Sequence, residues 1–172
     1  DEYCGGIPNG KKLKACIPGG SSVPILPANL LLKTAKGETR LMNYESLSDG
    51  GFATGSMMGS GGFIVMDDSQ CVVKHTYTLA RFYRHESCGQ CSPCREGTGW
   101  MEKILHNIVE GHGKPSDIDL LWDIQRKIEG NTICPLGDAA AWPVASAIRH
   151  FRAEFEEYVN HPERIKDVKH YY

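Results

Sequence analysis

Cys88-Gly89-Gln90-Cys91-Ser92-Pro93-Cys94 puts three thiols at i, i+3 and i+6, and a fourth cysteine, Cys134, follows 40 residues after Cys94. A four-residue turn holds its end Cα atoms within about 7 Å, so two consecutive turns can aim three sulfurs into one concave loop. A fourth thiolate brought back by the fold would complete a tetrahedral set. The pattern reads as a metal site, with an iron–sulfur cluster ahead of its rivals.

The surrounding sequence gives the fourth thiol a reason to arrive. Val72, Thr76, Leu79 and Tyr83 recur at helical spacing and predict a helix that a cap at Asp68 or Ser69 opens and Ser87 ends. After Cys94 the pairs Trp100/Met101, Ile104/Leu105 and Ile108/Val109 predict a second helix with one buried face, stopped by Gly111, Gly113 and Pro115. Ser116 can cap a third, carrying Leu121, Ile124 and Ile128 and ending at Gly130. A fourth is expected from Trp142-Pro143, with Val144, Ile148, Phe151, Phe155 and Val159 as its stripe. Four amphipathic helices with short links predict an antiparallel bundle. In it, the links holding Cys88–Cys94 and Cys134 fall at the same end.

Upstream, residues 1–68 are glycine-punctuated and strand-like. Lys12–Ile17 alternates polar and apolar, residues 23–27 form a short proline-limited extended segment, and 63–66 form an apolar run. Residues 30–33 and 39–42 are further candidate strands, with a brief helix near 45–49. Gly50–Gly62 is rich in glycine, but it runs into a strand rather than a helix, so it reads as a flexible or tightly packed loop and not a phosphate cradle. The fold class is therefore α+β: a small sheet domain over 1–68, a helical bundle over 69–159 and an extended tail over 160–172.

Composition excludes several classes. Of 172 residues 41% are hydrophobic and 23% charged, and the net charge of -2 offers no field for nucleic acid or an anionic membrane. No apolar run approaches the roughly 18 residues that span a bilayer. Seven cysteines are an odd number for a disulfide scaffold, and no signal peptide is visible, which favours a reducing compartment. The chain opens on Asp1 rather than Met, which suggests a piece of a longer protein.

Rival readings of the cysteines are zinc and a redox dithiol. Structural zinc sites more often use two separated CxxC knuckles. A CxxC dithiol leaves the third equally spaced cysteine without a role. Cys4, Cys16 and Cys71 have no such spacing and read as ordinary thiols. Arg95 could add positive charge beside the site or be an ordinary solvated or salt-bridged surface residue. The seven histidines form no motif, and Asp67-Asp68 reads as capping rather than paired catalysis.

Glu86-Ser87-Cys88-Gly89-Gln90-Cys91-Ser92-Pro93-Cys94-Arg95-Glu96-Gly97-Thr98 resembles the NADH-binding flavoprotein subunit of respiratory complex I. So do Ile133–Pro143, His150-Phe151-Arg152, Ile17–Pro24 and Gly59–Asp67, so the resemblance covers nearly the whole chain. It implies that residues 1–68 are a β-grasp-like domain and that Cys88, Cys91, Cys94 and Cys134 hold one [4Fe–4S] cluster. It implies electron transfer from NADH-reduced FMN through this cluster toward further clusters and quinone, as part of an NADH dehydrogenase. FMN and NADH are expected on an N-terminal domain of the same subunit that these residues do not include, so no flavin or nicotinamide residue is carried over. The implied partners are that domain, a thioredoxin-like [2Fe–2S] subunit and a large multi-cluster iron–sulfur subunit. Localisation would be peripheral, on the cytoplasmic side of a bacterial membrane or the mitochondrial matrix side. The same subunit type occurs in NAD-linked hydrogenases and formate dehydrogenases. The reading of another class is a zinc-stabilised interaction module without redox activity.

Overall fold

A computed structural model of the chain describes residues 4–29, 47 and 55–163. They divide into two compact units, Asp1–Gln70 and Cys71–Tyr172. The class is α+β: a three-stranded antiparallel sheet and four long helices among the described residues.

The sheet comprises β1 (Leu13–Ile17), β2 (Leu26–Pro27) and β3 (Ile64–Asp67), in the order β2-β1-β3. Cys16 pairs with Leu26 on one side and Val65 on the other, and a bulge between Leu13 and Ala15 shifts the register with β3. The sequence alternation predicts a half-buried β1, yet Ala15, Cys16 and Ile17 are all buried. Successive side chains point to opposite faces of a sheet, so this end of β1 is covered on both faces. Cys16, Leu26 and Leu47 form its core cluster. The candidate strands at 30–33 and 39–42 lie outside the described residues, as does the 45–49 helix apart from Leu47, which is helical.

The described part of the glycine-rich stretch, residues 55–62, packs backbone against backbone. Gly20 N donates to Gly62 O (2.7 Å) and Ser60 N to Gly19 O (3.0 Å). A Cβ on Gly19 would collide with the carbonyls of Met57 and Met58, and one on Gly59, whose φ is +50°, would collide with Gly19 O. The glycines serve close chain approach here. Asp67 accepts from Ser69 N (2.8 Å) and from the Ser69 hydroxyl, holding the turn after β3. These bonds and Lys11 hold its carboxyl below the usual carboxylate range.

The helices are α1 (Val72–Glu86), α2 (Ser92–Val109), α3 (Pro115–Ile128) and α4 (Leu136–Asn160). Each packs against the next and α4 returns to α1, closing the ring. Met101, Leu105, Ile108, Ile118, Leu121, Ile128 and Phe155 fill the interior, each almost fully buried. Their i, i+3 and i+4 spacing turns one stripe of each helix inward.

Helix ends differ from the sequence expectation in instructive ways. Neither Asp68 nor Ser69 caps α1. Cys71 occupies the N-cap without a side-chain bond, and Glu154 of α4 accepts from Val72 N (3.2 Å) instead. At α3, Pro115 takes the first position and Asp117, not Ser116, satisfies the Lys114 N–H (2.8 Å). α4 begins at Leu136, six residues before Trp142, and carries Pro143 inside. Pro143 withholds the N–H that would meet the Ala139 carbonyl, and the run of alanines before it is a strong enough helix former to continue through. Trp100 is half exposed, outside the buried face predicted for α2. It lines an apolar groove of about 660 Å³ between α2 and α3 with Gly97, Ile104, Leu120 and Ile124.

Candidate metal centre

The α1–α2 link begins where Ser87 ends α1. Ser87 N still donates to Tyr83 O (3.0 Å), while its own ψ of 123° turns the chain outward. Gly89 then takes φ +73°, in the left-handed region that favours glycine, which bends the loop back between the first two cysteines. Cys91 is the N-cap of α2, and its carbonyl accepts the first helical bond from Arg95 N (2.9 Å). Cys94 therefore lies in the first turn of α2, where unpaired N–H groups and the helix dipole favour a thiolate. Thr98 donates to Cys94 O (2.8 Å) and fixes its backbone.

Arg95 fastens this loop. Its guanidinium donates to Gly89 O (3.1 Å) and Ser92 Oγ (3.3 Å) and pairs with Glu96 (2.9 Å). Of the two sequence readings, the salt-bridged one describes its contacts, and to it the structure adds a brace across the cysteine turn.

Cys134 stands in the α3–α4 link, two residues before α4. Thr132 donates to its carbonyl (2.9 Å), and Gly137 leaves the space that Thr132 fills, because a Cβ there would collide with the threonine side chain. Asp138 accepts from Gly130 N (2.7 Å) and Glu129 accepts from Trp142 Nε1 (2.7 Å), tying the α3 end of the link to the first turns of α4.

The structure brings all four predicted cysteines to this end of the bundle. Burial raises the Cys94 thiol above its ordinary range. The Ser87 hydroxyl, 3.2 Å from its sulfur, opposes the rise, and nearby Cys91, Cys134 and Cys88 add to it. Exposure is graded: Cys94 is buried, Cys91 intermediate, Cys88 and Cys134 exposed. Among the described residues, no three His, Cys, Asp or Glu side chains converge on a single-ion site. The donor chemistry suits a cluster: four thiols beside the N-termini of α2 and α4. The groove between α2 and α3 touches the loop only at Ser92 and Pro93 and contains none of the four sulfurs.

The remaining cysteines are elsewhere. Cys16 is in the sheet core, Cys71 meets the Tyr158 hydroxyl (2.9 Å) at the opposite end of the bundle, and Cys4 is exposed. Sequence reasoning missed Ser87, Thr132 and Gly137. The first had a readable signal, a hydroxyl residue between a helix end and the first cysteine, but the other two became visible only once α4 was seen to start at Leu136.

Comparison with known proteins defines the class. Residues 74–158, most of the helical unit, match the NADH-ubiquinone oxidoreductase-F iron-sulfur binding region. Over 157 residues the chain is 50% identical to the F subunit of NADH-quinone oxidoreductase from Rickettsia bellii (strain OSU 85-389), covering 91% of this chain and 35% of the relative. It is 45% identical over 161 residues to an F subunit of NADH-quinone oxidoreductase from Rhizobium meliloti (strain 1021), covering 93% and 35%. The chain thus spans about a third of the length of these curated relatives. The fold matches NAD+-reducing [NiFe]-hydrogenase in the H2-reduced state with a TM-score of 0.70 and 28% identity, over 87% of this chain and 24% of that one. No helix among the described residues is long and apolar enough to cross a membrane.

Proposed function

We propose that Cys88, Cys91, Cys94 and Cys134 hold one [4Fe–4S] cluster and that the chain relays electrons within an NADH:quinone oxidoreductase. The observation that supports the reading is that these four cysteines lie at one end of a bundle whose sequence matches an iron–sulfur binding region. The cluster supplies one-electron transfer. The chain's own residues position the thiols, donate hydrogen bonds to them and keep the Cys94 side dry. The graded exposure favours electron exchange across the Cys88 and Cys134 edge.

Because the chain corresponds to about a third of its relatives, the wider assignment is by kinship. NADH-reduced FMN on a further domain of the same subunit would load the cluster. A thioredoxin-like [2Fe–2S] subunit and a large multi-cluster iron–sulfur subunit would be the protein partners. The assembly would be peripheral, on the cytoplasmic or matrix side of its membrane, and residues 1–68 would be the β-grasp-like domain. The hydrogenase likeness makes a diaphorase subunit of an NAD-linked hydrogenase the parallel reading of the same chemistry.

Anaerobic purification followed by iron, sulfide and zinc analysis tests the assignment. Iron and labile sulfide in equal amounts are expected, with broad visible absorption that bleaches on reduction by dithionite. A colourless, redox-silent protein with one zinc per chain would contradict it.

A further inference from the structure

The Ser87 hydroxyl has two neighbours of different kinds. Gly89 N donates to its oxygen at 3.3 Å, and Cys94 Sγ lies 3.2 Å away. A backbone N–H can only donate, so it occupies an acceptor position on the hydroxyl and leaves the O–H free to point at sulfur. A metal-bound cysteine is a thiolate and can only accept. With Cys94 as a ligand, the direction of the bond is therefore fixed as Ser87 O–H to Cys94 Sγ.

The placement is rigid from both sides. Ser87 is the last residue tied to α1, through its N–H to Tyr83 O, and Cys94 is tied to α2 through Thr98. Cys94 is also the buried member of the four, where a hydrogen bond meets little competition from water.

We propose that Ser87 is a positioning and tuning residue for the cluster: its hydroxyl donates to the Cys94 thiolate and raises the reduction potential. The inference rests on the cluster assignment above. Uptake of one electron from a reductant adds one negative charge, shared by the core and its thiolates, with no proton transferred. A donor aimed at a ligand sulfur stabilises the reduced form more than the oxidised form. Removing it makes reduction harder.

The test is an EPR-monitored potentiometric titration of the full chain reconstituted with iron and sulfide, using dithionite as reductant. Ser87→Ala is expected to keep its iron and sulfide and to lower the one-electron reduction equilibrium about tenfold, a shift of about 59 mV for a one-electron couple. Ser87→Thr, which keeps the hydroxyl, is expected to match the wild type. An unchanged midpoint in Ser87→Ala at full iron content would overturn the inference. Should Ser87→Ala lose the cluster, Ser87→Thr decides: wild-type iron content and midpoint support a hydroxyl-dependent role, and loss in both variants overturns it. A wild-type chain that binds zinc in place of iron and sulfide would instead refute the cluster assignment itself.

Discussion

Cysteine is used in opposite ways in the two units. In the sheet unit, Cys16 sits on the central strand against Leu26 and Leu47, fully buried, and burial pushes its thiol from 9.0 up to about 12. It is a small apolar filler held protonated. In the helical unit, four cysteines sit at the links between helices, and two of them are exposed. Each link there is fastened by side chains to the adjoining helices. Burial alone silences a thiol. Placement beside helix N-termini, with the Ser87 hydroxyl against Cys94, is what the proposed ligand set has and Cys16 lacks.

The comparison breaks most visibly at Cys134. Cys134→Ser is expected to abolish the four-iron cluster, read as lost visible absorption and iron content, whereas Cys16→Ala should leave both unchanged. A smaller effect is expected one turn away. Gly137→Val would drive Thr132 out of its place and displace the Cys134 carbonyl, costing about 1–3 kcal/mol in a chemical-denaturation series and lowering iron content on reconstitution.

Cys16→Ala itself should cost about 1–2 kcal/mol of stability at neutral pH. It also carries a pH signature. The folded protein keeps the Cys16 proton that the unfolded chain releases, so stability from this thiol is present below pH 9.0 and falls as pH rises toward about 12. Cys16→Ala should flatten that alkaline slope in denaturation curves measured across the window; an unchanged slope would mean the thiol is not a buried filler. The smallest effect is expected at Arg95, whose bonds are exposed. Arg95→Gln should slow cluster incorporation during reconstitution while leaving final iron content near wild type.

Where the sequence was readable, local periodicity decided the structure. α1, α2 and α3 follow their apolar stripes because these faces meet in one core, whereas the CxxCxxC segment is a bend at Gly89 followed by the first turn of α2 rather than two successive turns. Where tertiary contacts decide, it was not. Pro143 resembles a helix start, and the small residues Ala139, Ala140 and Ala141 carry no amphipathic contrast, so the first turns of α4 were hidden. With them went the packing of Gly137 beneath Thr132. The cap of α1 was illegible for the same reason, since Glu154 supplies it from 82 residues away. Lys12–Ile17 alternates as a one-faced strand should, but its last three residues are buried on both faces, which packing above and below the sheet decides and local alternation does not show.

The four-cysteine assignment is tested most directly by Mössbauer spectroscopy of the chain reconstituted with 57Fe and sulfide, compared with Cys134→Ser. A single four-iron cluster is expected in the wild type and none in the variant. A two-iron species in the wild type, or an intact four-iron cluster in Cys134→Ser, would contradict the assignment.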